Sequence, residues 1–189
     1  DQTWVDWPDN FRHRNTATLR RVALDARPEM TRIKQQQYRL DRAWRRIRQH
    51  ARDRDVALFG DIPVFIAHDS ADTWAQPEDF LLDEDGQPTH VTGVPPDYFS
   101  ETGQRWGNPH YRWERMQQED YAWWITRMAR QFELFDLVRI DHFRGFVAGW
   151  EIPAENDTAI EGKWRRGPGR EIFDVLCGKL GGRLPVIAE

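Results

Sequence analysis

Leu137-Val138-Arg139-Ile140-Asp141-His142-Phe143-Arg144-Gly145 decides how this chain is read. A short β-prone run delivers Arg, Asp, His and Arg at its end, then Gly. Burying a charge is costly unless it is paired, so that many charges at one strand end point to a site. In parallel α/β folds, chemistry collects at the carboxyl ends of strands. Arg139 and Asp141 are two positions apart, so their side chains leave the same face of the strand. A guanidinium there can bond the carboxylate and aim it. A structural Arg–Asp ion pair is the competing reading of the same two residues.

Outward from this stretch the chain alternates. Residues 31–54 read as a helix, with Ile33, Leu40, Trp44, Ile47 and Ala51 at helical spacing. The Arg clusters at 45–48 and 52–54 read as its solvated face. Residues 56–67 read as a buried strand ending near Asp61, followed by an extended piece. Residues 68–117 read as a long, mostly irregular insertion. A second helix is expected over 118–135, with Tyr121, Trp124, Met128 and Phe132 inward. After the strand at 137–141, a Gly-broken loop covers 144–169. A third helix covers 170–180, and Gly181-Gly182 supplies its stop signal. Residues 184–189 read as another buried strand. Helices alternating with apolar strands define an α/β class with a parallel sheet. Three strands, ending near Asp61, Asp141 and Glu189, are fewer than the eight of a closed (β/α)₈ TIM barrel. The expectation is therefore that residues 1–189 are a piece of a larger barrel, a fragment of the whole, with an unusual compact fold as the less favoured alternative.

Composition narrows the function classes. The chain has 189 residues and a formal net charge of −4, with a pI near 5.9. That balance gives no electrostatic case for nucleic acid or an anionic membrane surface. Mean hydropathy is −0.81, and no apolar run approaches the ~20 residues of a membrane helix. The opening Asp1-Gln2-Thr3-Trp4 does not read as a signal peptide. Cys177 is the single cysteine, so no intrachain disulfide framework is expected and a reducing, cytoplasmic setting fits. The ten tryptophans are the unusual number. Trp44 and Trp124 fall on apolar helix faces and read as core. Trp74, Trp106, Trp113, Trp150 and Trp164 sit in polar, Gly/Pro-rich stretches. Flat ring faces beside hydroxyl-binding groups suit sugars; such a patch would equally suit a protein interface. With Asp61, Asp141 and Glu189 at strand ends, the residues point to carboxylate chemistry on sugars.

Longer motifs sharpen this. Gly60-Asp61-Ile62-Pro63-Val64-Phe65-Ile66-Ala67-His68-Asp69-Ser70 resembles the 4-α-glucanotransferases, also called amylomaltases or disproportionating enzymes. So do the 93–109 run, with its Pro95-Pro96-Asp97-Tyr98-Phe99-Ser100 and Gly103-Gln104-Arg105-Trp106-Gly107, and the segments Arg139–Gly145, Trp150–Pro153 and Val186–Glu189. The resemblance covers nearly the whole chain and is weakest over the first 30 or so residues. It implies a (β/α)₈ barrel with inserted subdomains that moves α-1,4-glucan segments between maltooligosaccharide, starch or glycogen acceptors. It implies retention of configuration, with neither metal nor other cofactor. Asp141 matches the nucleophile and Glu189 the general acid/base. The family's third catalytic carboxylate belongs further along, beyond Glu189.

Retaining transfer needs two carboxyl groups ~5–5.5 Å apart. Asp141 and Glu189 stand 48 positions apart, with one βα crossover between them, and adjacent parallel strands lie ~4.8 Å apart. The resemblance makes Arg139 and His142 substrate-site residues. Asp61 is read as bonding a sugar or a site residue, with support of the Arg139 guanidinium as the alternative. Tyr98, Gln104 and Trp106 match a substrate-covering loop at about 93–109, where Tyr98 and Trp106 would stack on glucose rings. The alternative functions are an α-1,4-glucan hydrolase of the α-amylase superfamily and a non-catalytic glucan-binding fragment. As it stands, the isolated chain is expected to be inactive.

Overall fold

The computed structural model describes residues 2–189. Three helices lead in: α1 (Asp9–Arg12), α2 (Thr16–Asp25) and α3 (Arg27–Arg52). Then come β1 (Phe59–Pro63), α4 (Ala71–Ala75), β2 (His90–Val94), β3 (Gln104–Pro109), α5 (Trp113–Gln118) and α6 (Ala122–Leu134). The chain continues through β4 (Leu137–Asp141), β5 (Ala148–Pro153), β6 (Lys163–Arg166), α7 (Glu171–Leu180) and β7 (Val186–Ala188).

The first sheet is parallel, in the order β1-β4-β7. Phe59 pairs with Leu137 and Pro63 with Asp141, while Val138 pairs with Val186. Alternation sends the two strand faces to different fates. Ile62, Val138 and Ile140 face the helices and are buried. Phe59, Asp61, Arg139, Asp141 and Ile187 belong to the opposite, more open face, where Phe59 is exposed. The helix side is filled by Trp124 and Met128 of α6, Ile172 and Leu176 of α7, and the buried Phe80, Tyr111, Tyr121 and Phe146. Trp124 is fully buried among the rings of Tyr111, Trp123 and Phe146. Gly181, at φ +105°, closes α7 in the left-handed conformation that a Cβ would disfavour.

The second sheet is antiparallel, in the order β3-β2-β5-β6. It corrects two expectations. The 68–117 region is not mostly irregular, and 144–169 is not a plain loop. Each connection contributes two strands, and β2 pairs with β5 to join them into one sheet. Gly93 permits the close approach of β2 to β3: a Cβ there would collide with the Gln104 carbonyl. Glu151 of β5 is buried and held by Arg165 at 3.0 Å and Lys163 at 3.2 Å. Burial alone would push its carboxyl up, but these hydrogen bonds and charges bring it below its ordinary value.

Two helical expectations also change. Residues 118–135 are not one helix, because Asp120 and Tyr121 have φ of 51° and 53° and separate α5 from α6. Trp113 is core rather than surface, and Trp74 is tied down by its indole N–H to the Phe11 carbonyl at 3.0 Å.

Arg48 is not on a solvated face. It donates to the carbonyls of Phe132 at 3.0 Å and Phe135 at 2.8 Å, and to Asp136 at 2.9 Å. These carbonyls lie at the C-terminal end of α6, where intrahelical donors run out. Asp136 in turn accepts the Leu58 N–H at 3.0 Å, which with Arg48 holds its carboxyl at about 2. Arg48→Met leaves these acceptors without their donor and should lower the unfolding free energy by ~2 kcal/mol at neutral pH. Because the folded-state value is depressed, Asp136 contributes stability above about pH 4 and loses it as pH falls toward 2. Urea titrations at pH 7 and pH 2 should therefore show the deficit shrinking in acid; a deficit that does not change with pH would refute the pairing.

Candidate active site

The site grows from strand register. Asp61 of β1 lies opposite Arg139 of β4. Two residues on, Asp141 ends β4. Glu189 follows β7, its N–H donating to the Ile140 carbonyl at 3.2 Å while its carbonyl accepts the Phe143 N–H at 2.6 Å. The backbone thus seats Glu189 between the end of β4 and the turn after it.

One guanidinium then gathers three carboxylates. Arg139 donates through Nη1 to Asp61 at 2.5 Å, through Nη2 to Asp141 at 2.8 Å, and through Nε to Glu189. The Glu189 hydrogen bond, with the charges of Asp61 and Asp141, raises Arg139 above its ordinary value. The planar fork of Arg can serve three acceptors at once, which a Lys ammonium on a flexible stem would not fix in place. Asp61 thus makes the contact of the alternative reading, support of the Arg139 guanidinium.

His142, directly after Asp141, has a φ of 54°. A non-glycine residue in this region is held there by its surroundings. Its Nε2 is buried and has no hydrogen-bond partner within the protein. Burial lowers its pKa, against the opposing charge of Asp141, so the ring is neutral near pH 7. Trp106 stands edge-on to it, with ring centroids 4.7 Å apart at 86°. The two rings open onto a cavity of about 450 Å³, lined also by Asp141, Asn108, Phe65 and Pro63. A donor-capable ring nitrogen, a carboxylate and an indole around one opening can hold a hydroxylated ring.

The 93–109 expectation divides. Trp106 is brought to the cavity by β3. Gln104 is not: its Oε1 accepts the Trp106 indole N–H at 3.0 Å, so it orients the indole. Tyr98 stands fully exposed with Phe99 on the tip between β2 and β3. That tip is ordered by Asp97, whose carboxylate accepts the N–H groups of Phe99 at 2.8 Å and Ser100 at 2.9 Å. Asn108 was missed, because Gly107-Asn108-Pro109 reads as a turn and is in fact the end of β3. Among the described residues, no cluster of three or more His, Cys, Asp or Glu side chains could hold a metal ion. No helix there is long and apolar enough to cross a membrane.

Parallel strands joined through helices, with inserted antiparallel strands at their carboxyl ends, fit a piece of a (β/α)₈ barrel. The structure superposes with a TM-score of 0.93 on an amylomaltase from Streptococcus agalactiae solved in complex with acarbose. That match is 36% identical and covers 100% of this chain and 38% of the other. A 4-alpha-glucanotransferase of Thermus thermophilus is 47% identical over 186 residues, which is 98% of this chain and 37% of the relative. A chloroplastic/amyloplastic 4-alpha-glucanotransferase of Solanum tuberosum is 41% identical over 187 residues, 99% of this chain and 32% of the relative. The family model for 4-alpha-glucanotransferase matches residues 1–189, and the chain belongs to that family. It spans about a third of the length of these curated relatives.

Proposed function

We propose that these 189 residues are the central portion of one catalytic barrel that transfers α-1,4-glucan segments between maltooligosaccharide, starch or glycogen chains. The observation that carries this reading is the convergence of Asp61, Asp141 and Glu189 on the Arg139 guanidinium at the carboxyl ends of adjacent parallel strands. Asp141 and Glu189 bond the same guanidinium, which supports the close pairing of carboxyl groups that retaining chemistry uses. Asp141 attacks the anomeric carbon as Glu189 protonates the departing glycosidic oxygen, giving a glycosyl ester on Asp141. Glu189 then takes the proton of an incoming sugar hydroxyl, whose oxygen displaces Asp141 with net retention. The charge developing on the sugar ring is met by the Asp141 carboxylate. Arg139 aims both groups, and His142 bonds a sugar hydroxyl.

Segment 93–109, with Tyr98 at its tip, covers the bound glucan and keeps water from the ester, which favours transfer over hydrolysis. Among the described residues Cys177 is a free thiol, which supports a reducing cytoplasmic setting. The test is incubation of the full-length polypeptide with maltotriose, with products read by mass spectrometry. Glucose plus longer maltooligosaccharides is the expected result. Shorter sugars alone would make the protein a hydrolase.

Trp106 offers an indole face at the cavity rather than chemistry. Trp106→Ala should raise KM for maltotriose about 10-fold, the loss of one aromatic contact of ~1.5 kcal/mol, and leave kcat near the parent value. Initial-rate kinetics decide it: a fallen kcat at unchanged KM would give Trp106 a different role.

A further inference from the structure

We propose that Arg127 is a positioning residue for Asp141, acting through the backbone of Pro63 and Val64. The proposal rests on the reading of Asp141 as the nucleophile. Pro63 is the last residue of β1 and lies opposite Asp141 in the register. Beyond it the chain leaves the sheet, yet this departing segment still touches the catalytic residue: the Val64 N–H donates to the Asp141 carbonyl at 3.1 Å. Pro63, Val64 and Phe65 also form a wall of the cavity that Asp141 lines. Among the described residues, no strand hydrogen bond beyond that one fixes this segment.

Two side chains do. Arg127 of α6 donates to the Pro63 carbonyl at 2.8 Å and to the Val64 carbonyl at 3.4 Å. The fully buried Tyr111 donates its phenol to the same Val64 carbonyl at 2.7 Å. Val64 thus carries Arg127 and Tyr111 on its carbonyl and Asp141 on its N–H, and the Pro63 carbonyl, in the same peptide unit as that N–H, takes the shorter Arg127 bond. Arg127 is itself held, its guanidinium carbon lying 5.2 Å and 5.0 Å from the ring centroids of Trp123 and Trp124. A guanidinium stacked on two indoles presents its fork in one orientation. Burial pushes the Tyr111 phenol up, so it stays a donor across the working pH range. The Arg127 guanidinium is directed at backbone carbonyls.

A nucleophile misplaced by ~1 Å can cost on the order of 10²-fold in rate without weakening substrate binding. In the full-length polypeptide, Arg127→Met should therefore lower kcat with maltotriose by ~10–100-fold and leave KM within ~2-fold. Arg127→Lys, which restores one donor, should recover part of the loss. Tyr111→Phe should lower kcat ~3–10-fold at unchanged KM. Circular dichroism and thermal melts identify which variants are folded at the assay temperature. A folded Arg127→Met with parental kcat, or with raised KM at parental kcat, would overturn the proposal. Where Arg127→Met does not fold, Tyr111→Phe keeps the packing and decides on the same criteria. Asp141→Asn assayed alongside separates the two layers. An inactive Asp141→Asn with parental Arg127 variants overturns this proposal alone, whereas an active Asp141→Asn overturns the nucleophile reading and this proposal with it.

Discussion

Asp141→Asn in the full-length polypeptide should lower kcat for maltotriose disproportionation by on the order of 10⁴-fold or more, with KM little changed. Asn matches Asp in shape, and its amide oxygen can still accept the Arg139 Nη2–H that Asp141 accepts at 2.8 Å. The change removes the nucleophilic charge and leaves the scaffold. The Asp141 side chain is half exposed, and its backbone is fixed independently by β4 and by the Val64 N–H. Folding should therefore be unaffected, and two carboxylates remain to balance Arg139. The loss is large because an amide forms no stable glycosyl ester, so the double displacement has no first intermediate. Steady-state kinetics, with melting curves as the folding control, measure it. Turnover at the parental rate would remove Asp141 from the chemistry and the retaining mechanism with it.

What the sequence shows of this fold follows from where its information is local. Each strand of the parallel sheet is a short apolar run with its own flanking helix, so β1, β4 and β7 can be read one at a time. The antiparallel sheet cannot. Its central pairing sets His90 opposite Pro153, across more than sixty residues. Its strands carry Gly93, Pro109 and Gly149, residues that locally signal turns. The charged Lys163-Trp164-Arg165-Arg166 run falls inside the Gly-broken 144–169 stretch, although Arg165 is drawn inward by the buried Glu151. The α5–α6 break hides for another reason: Tyr121 keeps apolar spacing while its backbone turns left-handed. The site divides along the same line. Asp61, Arg139, Asp141 and His142 are legible because strand ends announce themselves. The Gln104–Trp106 bond is not legible, because it depends on rotamers. Arg127 and Arg48 escaped because an Arg on a helix reads as solvated until the carbonyls it reaches are known.

Glu189→Gln tests the other half of the chemistry and should leave a different signature from Asp141→Asn. Without a proton donor, departure of a sugar alkoxide is slow, and kcat with maltotriose should fall by ~10²–10⁴-fold. A donor such as α-glucosyl fluoride needs little acid assistance to lose its leaving group. With it, formation of the glycosyl ester on Asp141 should stay within ~10-fold of the parent rate. Resolution of the ester then lacks its base, so the intermediate should accumulate and appear as one added hexose on the intact mass, on the peptide holding Asp141. Azide, a nucleophile that needs no deprotonation, should restore turnover and give the retained glucosyl azide. Asp141→Asn should show neither the added mass nor the rescue with any donor. The placement of Glu189 explains why one residue can serve both steps. Its backbone is pinned at Ile140 and Phe143 next to the nucleophile, while its side chain is held only by Arg139 and is largely exposed. It is thus free to leave that ion pair and take up a proton before it meets the glycosidic oxygen of an arriving substrate. Equal rate losses with maltotriose and glucosyl fluoride, with no trapped hexose, would show that Glu189 is not the acid/base.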